Sequence, residues 1–187
     1  MHSPQLRVAA LAAALFATFA SASVIVHETL DAMAKRVPLI VRGRVVRSVS
    51  AWDAEKRTIW TWTELTVTDA IKGKPGGLVL IKQPGGEVGE RGQAVAGAAT
   101  FKEGEDCVLF LEPAPQESSA FMVSGMSAGK ILMTEVKGVP TAVRDTTGLA
   151  FARPANGKIV EQVKSPEFLG TPTDFIKRIR ASAGGGK

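Results

Sequence analysis

The chain has 187 residues, of which 45% are hydrophobic and 22% are charged. This length and apolar content predict one globular domain with a core, and they exclude collagen-like and wholly disordered chains. Cys107 is the only cysteine, which excludes a disulfide scaffold and the zinc sites that are built from several cysteines.

Residues 1–22 are typical of a secretory signal peptide. Arg7 is followed by an apolar run, Val8–Ala20, and then by the small residues that a signal peptidase recognises, ending at Ala22. The run is shorter than the roughly 20 residues of a membrane span, although an uncleaved anchor stays an alternative. We therefore expect an exported protein, periplasmic or extracellular, with no membrane span after cleavage.

Cleavage after Ala22 removes one basic residue, Arg7, and leaves 22 basic and 18 acidic residues, a net charge of +4. The basic residues are scattered, with alternating arginines at Arg42, Arg44 and Arg47 rather than a block. Nucleic-acid-binding arms carry concentrated basic runs, so we expect no nucleic-acid partner.

The first half of the mature chain is predicted to hold one short helix followed by strands. Thr29 or His27 is the expected cap of this helix, and Pro38 is expected to end it. Gly43 is expected to mark a bulge in the first strand. The predicted elements are a helix over Glu28–Arg36 and strands over Leu39–Ser50, Ile59–Thr68 and Leu78–Gln83.

The second half is predicted to hold further short strands and a C-terminal helix. Asp106–Glu112 is a continuous apolar run typical of a buried strand, and Thr171 or Thr173 is the expected helix cap. The remaining predictions are an irregular Pro84–Gly97, a loop over Pro113–Ser119, strands over Ala120–Ser124, Lys130–Glu135 and Thr141–Arg144, irregular chain or an edge hairpin over 148–171, a helix over Thr173–Ala181 and a disordered tail over 183–187.

Strands at hairpin spacing with no strand-helix-strand alternation favour an antiparallel barrel or sandwich. We expect a mainly β protein with a short N-terminal helix, extra C-terminal strands and a C-terminal helix. Residues 23–182 are predicted to form a single domain, with the barrel core over about 37–135.

Three tryptophans, Trp52, Trp60 and Trp62, are the first candidate site. In an extended strand Trp60 and Trp62 share a face with Glu64, while Leu65 and other core residues occupy the opposite face. Outward-facing rings can stack on sugars or pack against a protein partner. The alternative is that another segment of the chain covers them.

A glycine-rich loop is the second candidate site. Its glycines recur every third residue with acidic residues between them, which is unlike a phosphate-binding loop. The alternatives are a ligand-binding loop and a connection that needs positive backbone angles. The candidate binding residues here are Gly85, Gly86, Glu87, Gly89 and Arg91.

Four further features have weaker links to chemistry. Gly125–Gly129 matches G-x-S-x-G around Ser127, but no histidine follows it to act as the base of a hydrolase. His27 begins a pattern like H-E-x-x-H that ends in Asp31, so we expect no metal or cofactor. Glu64 has no identifiable carboxylate partner. Cys107 is expected to be buried and inert.

Part of the chain resembles a known barrel family. The segments Leu39–Val46, Val67–Gly73 and Gly104–Leu111 resemble, in that order, the first strand, a strand-ending Lys-Gly turn and a later core strand of oligonucleotide/oligosaccharide-binding (OB) barrels. The similarity is to the netrin-like and tissue-inhibitor-of-metalloproteinases type. The loop Pro84–Gly89 is similar to one in secreted bacterial proteins of this build.

The resemblance implies a five- or six-stranded antiparallel OB-like barrel. Inhibitors of that family chelate a protease zinc through an N-terminal cysteine and are held by disulfides. This chain has neither feature, so the resemblance implies a fold and not inhibition.

The functional expectation is a non-catalytic binding module for a protein or a cell-envelope polysaccharide. It would use the face of Trp60 and Trp62 together with the glycine-rich loop. Two alternatives stay open: a hydrolase that uses Ser127 or a carboxylate, and a structural or assembly subunit of the cell envelope that associates through an exposed strand edge.

Overall fold

The computed structural model describes residues 23–152, 159–160 and 165–184. The predicted signal peptide lies outside the described residues, as do residues 185–187 of the predicted tail. The described helices are α1 (Leu30–Arg36) and α2 (Pro172–Gly184). The described strands are β1 (Ser23–Val26), β2 (Leu39–Trp52), β3 (Ile59–Lys72), β4 (Leu78–Pro84), β5 (Gly86–Val88), β6 (Arg91–Gln93), β7 (Asp106–Ala114), β8 (Glu117–Val123), β9 (Lys130–Val136), β10 (Val139–Arg144), β11 (Leu149–Ala152), β12 (Ile159–Val160) and β13 (Glu167–Phe168).

Five of these strands close into a ring, in the order β2, β3, β4, β8 and β7, with β7 pairing back to β2. Every neighbouring pair is antiparallel except β4 and β8, which run parallel. The prediction of a mainly β, barrel-like fold with terminal helices is therefore confirmed, and the parallel pair is a detail that hairpin spacing did not predict.

Strand β7 has different partners along one of its edges. Leu111 and the residues after it pair with β8, whereas Cys107–Leu109 pair with β9. Strands β9, β10 and β13 continue the sheet outside the ring. Strands β1, β11 and β12 form a separate sheet, in which β1 and β11 run parallel.

The two faces of the sheet bury two separate cores. The barrel interior is filled by Leu39, Val41, Val45, Leu65, Val79, Ile81, Ala99, Cys107, Leu109, Leu111 and Val123. The helices cover part of the outer face through Leu30, Met33, Ala34, Val37, Ile40, Val108, Phe110, Ile131, Ala142, Phe175 and Ile179.

Both helices begin at threonine caps, as predicted. The Thr29 hydroxyl accepts a hydrogen bond from the Ala32 amide at 3.2 Å, and the Thr171 hydroxyl accepts one from the Asp174 amide at 3.2 Å. Helix α1 ends before Pro38. Helix α2 continues to Gly184, so the predicted disordered tail was wrong at residues 183 and 184, which belong to the helix.

Glycine is required at position 43, where β2 pairs with β3. A Cβ at this position would collide with the Thr66 carbonyl oxygen and the Leu65 side chain. The pairing of β2 with β3 also shifts register at Gly43, which confirms the predicted irregularity.

Short hairpins form in three connections; the first two were predicted as irregular chain and as a loop, whereas an edge hairpin was one of the two alternatives predicted for 148–171. The glycine-rich stretch holds the hairpin of β5 and β6, and Pro113–Ser119 is a tight turn between the longer β7 and β8. Within 148–171, strands β11, β12 and β13 are described, while residues 153–158 and 161–164 lie outside the described residues.

Candidate functional site

Strand β3 presents one face to the barrel interior and the other outward. Ile59, Thr63 and Leu65 are fully buried, whereas Trp60 and Trp62 are only half-buried. Alternation along a strand places these two sets on opposite faces. Trp60 and Trp62 therefore face outward, as the sequence predicted.

A groove of ≈ 710 Å³ lies along this outward face. Trp60 and Trp62 line it from β3, and Trp52 lines it from the end of β2. All three tryptophans of the chain therefore meet at one groove, which we call the tryptophan groove. The other residues that line it are Asp53, Ala54, Glu55, Thr58, Lys82, Pro115, Gln116 and Met122.

Lys82 lines the tryptophan groove beside two of its rings. It pairs with Trp62 across β3 and β4, and its Nζ lies 4.7 Å from the centroid of the Trp60 ring and 5.1 Å from that of Trp62. An ammonium over an indole face is held by the negative face of the ring. Lys82 thus fixes the two rings relative to each other.

Glu117, at the start of β8, completes this arrangement. Its Oε2 lies 2.9 Å from the Lys82 Nζ, and its Oε1 accepts a hydrogen bond of 3.0 Å from the Trp62 Nε1. The hydrogen bond from Lys82 lowers the pKa of the Glu117 carboxyl most, against the opposing effect of burial, and the bond from Trp62 lowers it further. Glu117 is therefore ionised at neutral pH.

The tryptophan groove joins apolar ring surface to a few polar groups. Ring faces stack on the apolar faces of sugars or on other flat ligands, and the ammonium of Lys82 and the amide of Gln116 can hydrogen-bond to hydroxyls. Binding sites of small molecules are commonly built in this way, and typically occupy roughly 300–1,000 Å³.

Glu64 faces outward but does not line the tryptophan groove. It forms an ion pair with Arg47 on β2, directly across the strand pair. The hydrogen bond from Arg47 lowers the pKa of the Glu64 carboxyl. Its contacts give Glu64 a structural role in the pairing of β2 and β3, and its predicted role in binding stays a prediction.

The glycine-rich loop and the tryptophans line different cavities. Gly85 and Gly86 lie beside the Ser50 and Thr61 hydroxyls at one end of the barrel, and a Cβ on Gly86 would collide with both. Glu87 lies on β5, Arg91 lies on β6, and Gly89 lies in the turn that connects the two strands. All three residues are exposed. No residue of this loop lines the tryptophan groove.

Ser127 lies in a 3-10 turn, Met126–Gly129, between β8 and β9. It lines a cavity of ≈ 310 Å³ that Lys130 and Asp145 also line. Lys130 forms an ion pair with Glu105 and lies 4.7 Å from the Phe101 ring centroid. None of the described residues that line this cavity is a histidine, which is the base that the G-x-S-x-G pattern of hydrolases requires.

Cys107 and His27 are the remaining sequence candidates. Cys107 is fully buried, as predicted, and burial raises the pKa of its thiol to about 12. His27 contacts the Phe151 ring edge-on at a centroid distance of 5.5 Å. In the described ranges, no group of three or more histidine, cysteine, aspartate and glutamate side chains is placed to hold a metal ion.

Four residues at the tryptophan groove were not predicted: Lys82, Gln116 and Met122 line it, and Glu117 contacts Lys82 and Trp62 beside it. Lys82 lies on β4, the strand directly after β3, whereas the other three lie on the turn after β7 and on β8, far from the tryptophans in the sequence. Only the pairing of β3 with β4 and of β4 with β8 brings them together.

No protein-family model matches this chain, and no curated protein is significantly similar to it. No described helix has both the length and the apolar character that crossing a membrane requires.

Proposed function

We propose that this chain is an exported, non-catalytic binding module whose tryptophan groove holds a cell-envelope glycan. The observation that carries the proposal is the convergence of Trp52, Trp60 and Trp62 on one groove that Lys82 also lines, with Glu117 paired to Lys82 beside it. Glycans offer alternating apolar faces and hydroxyls, which match this lining. The apolar run before Ala22 supports export.

We further infer that the ring of five strands is an OB-type barrel. The ring order places the fifth barrel strand, β8, between the third and the fourth, β4 and β7, and it runs parallel to the third. This order supports a five-stranded Greek-key barrel of the OB kind.

The position of the groove agrees with this inference. OB barrels bind oligonucleotides and oligosaccharides on the face of their second and third strands and on the loops between strands one and two and four and five. In this chain those elements are β3, β4, the turn at Asp53 and the turn at Gln116, and all four line the tryptophan groove.

Intrinsic fluorescence tests the proposal directly, because every tryptophan of the chain lines the groove. We expect titration with soluble oligosaccharides from a bacterial cell wall to shift the emission. The protein should also sediment with isolated cell-wall sacculi.

The matched variants are Trp60→Ala with Trp62→Ala, and Arg47→Ala as a control on the same outer face but outside the groove. We expect the double variant to lose at least ten-fold in affinity for sacculi and the control to bind as the unchanged protein does. Equal binding by both variants, or binding to polypeptide only, would overturn the glycan proposal.

A further inference from the structure

A second cavity, of ≈ 250 Å³, lies at one end of the barrel beneath the glycine-rich loop. Its deep residues include Gln83 on β4 and Ala99, which are 3% and 4% exposed. Its rim includes the exposed residues Ser48, Ala94 and Thr100. The cavity is thus deep on the barrel side and open at the rim.

The lining of this cavity has no ionisable side chain among the described residues. Alanine, valine and phenylalanine residues of the loop, among them Val95, Ala98 and Phe101, form the outer wall, and serine, threonine and glutamine face them from the strands. In a chain with 22% charged residues, a cavity without any charge selects against charged molecules, because an ion would lose its hydration there without gaining a partner.

The hydroxyl groups on the barrel wall hydrogen-bond to one another. Ser48 Oγ and Thr63 Oγ1 are 2.8 Å apart, and Ser50 Oγ and Thr61 Oγ1 are 2.9 Å apart. Thr61 Oγ1 also donates to the Gly85 carbonyl oxygen at 2.6 Å. These side chains therefore already have partners in the unliganded protein.

The Gln83 amide differs from these hydroxyls. Strand alternation directs Gln83 to the same side as Val79 and Ile81, into the barrel. Its Nε2 is buried and has no hydrogen-bond partner among the described residues. A buried amide donor of this kind is costly to leave unpaired, so a ligand oxygen at this position would be favoured.

We propose that this barrel-end cavity is a second binding site, for a small uncharged molecule with an apolar body and an acceptor oxygen that meets the Gln83 amide. The size is suitable, since an engineered apolar cavity of roughly 150 Å³ in another protein accommodates benzene. Amides, esters and alcohols with one ring or a short alkyl chain have this chemistry. The site is separate from the tryptophan groove and does not depend on the glycan proposal.

Matched probes of equal shape test the proposal in the unchanged full-length mature protein. Benzamide and benzyl alcohol are uncharged, and benzoate is the charged counterpart of benzamide. Backbone and side-chain amide chemical shifts of ¹⁵N-labelled protein report which residues each probe reaches. We expect benzamide to shift the Gln83 side-chain amide and the loop residues around Ala99, and to bind at least ten times more tightly than benzoate.

Two variants separate this site from the groove. Gln83→Leu keeps the side-chain size but removes the amide, and we expect it to bind benzamide at least five times more weakly while it still binds toluene. The Trp60→Ala, Trp62→Ala double variant should bind benzamide unchanged at the barrel end. Equal affinity for benzamide and benzoate, absence of shifts around Gln83, or binding that is lost only in the tryptophan variant would each overturn the proposal.

Discussion

Strands β7 and β3 belong to the same barrel but differ in what covers them. In β7, Cys107, Leu109 and Leu111 face the barrel interior, whereas Val108 and Phe110 face the helices, and all five are fully buried. In β3, the inward residues Ile59, Thr63 and Leu65 are equally buried, but the tryptophans on the outward face remain half-exposed along a groove.

The difference shows how the helices determine where a ligand can bind. Helices α1 and α2 cover the outer face of the sheet around β7, β9 and β10. Residues on both faces of this part of the sheet are therefore buried and stabilise the fold. The outer face around Trp60 and Trp62 is left open. A variant in β7 should therefore affect folding, and a variant on the outer face of β3 should affect binding.

The largest expected effect is that of Phe110→Ala in β7. Phe110 is 0% exposed, so its truncation removes apolar contacts and leaves a cavity, which costs about 3–5 kcal/mol of the free energy of unfolding. Urea unfolding followed by circular dichroism measures this loss. Trp62→Ala is the matched change on the open face, and we expect it to cost less than half as much. Equal losses would contradict the comparison.

A pair of glycine substitutions makes the same comparison within one hairpin. Gly86 has a φ of 134°, and a Cβ there would collide with hydroxyls of β2 and β3, so we expect Gly86→Ala to cost about 3 kcal/mol. Gly89 has a φ of 61° and open space around it, so Gly89→Ala should cost only about 1 kcal/mol. Thermal unfolding of the two variants distinguishes these values, and a larger loss for Gly89→Ala would be inconsistent with the packing.

The smallest expected effect concerns Glu117 and is specific to the groove. Its pKa is lower in the folded protein than in the unfolded chain, so its stabilising contribution is present above the unfolded pKa and is lost as the pH falls through the folded value. We expect Glu117→Gln to cost at most about 1 kcal/mol at pH 7, and we expect this cost to disappear as acid protonates the carboxyl.

Tryptophan emission measures this change, because the Glu117 carboxylate contacts the indole of Trp62. Emission of the unchanged protein should shift as the pH falls below the ordinary range of a glutamate carboxyl, and Glu117→Gln should abolish the shift. Glu64→Gln is the control, because Glu64 is also an ion-paired carboxylate but lies outside the groove. An identical response in both variants would show that the shift does not come from Glu117.

The regular elements were predictable where local pattern determines them. The alternation in β3, the continuous apolar run in β7 and the threonine cap of α1 were all confirmed. Each depends on neighbouring residues, whose spacing relates directly to strand or helix geometry. The hairpin of β5 and β6 was missed because its glycines are typical of irregular chain, yet the Ile59 amide donates to the Gln93 side chain and holds the hairpin on β3.

The candidate site was predictable only in part, for a different reason. The tryptophans are conspicuous in the sequence, whereas Lys82 and Glu117 are ordinary charged residues in their own segments. The parallel pairing of β4 with β8 brings them within 2.9 Å of each other, and no local pattern specifies that pairing. The roles of Glu87, Gly89 and Arg91 in binding remain predictions.

The pairing of β1 with β11 has a consequence for the order of folding. Ser23 lies beside Leu149, so the first described strand forms its ladder with one that follows β2 to β10 in the chain. Synthesis begins at the N-terminus, so all strands of the ring are present before β11 is made. Strand β1 has no β11 to pair with until then. Because closing so long a loop carries an entropic cost, this ladder is expected among the late events of folding. Its formation joins the segment before α1 to the segment that follows β10.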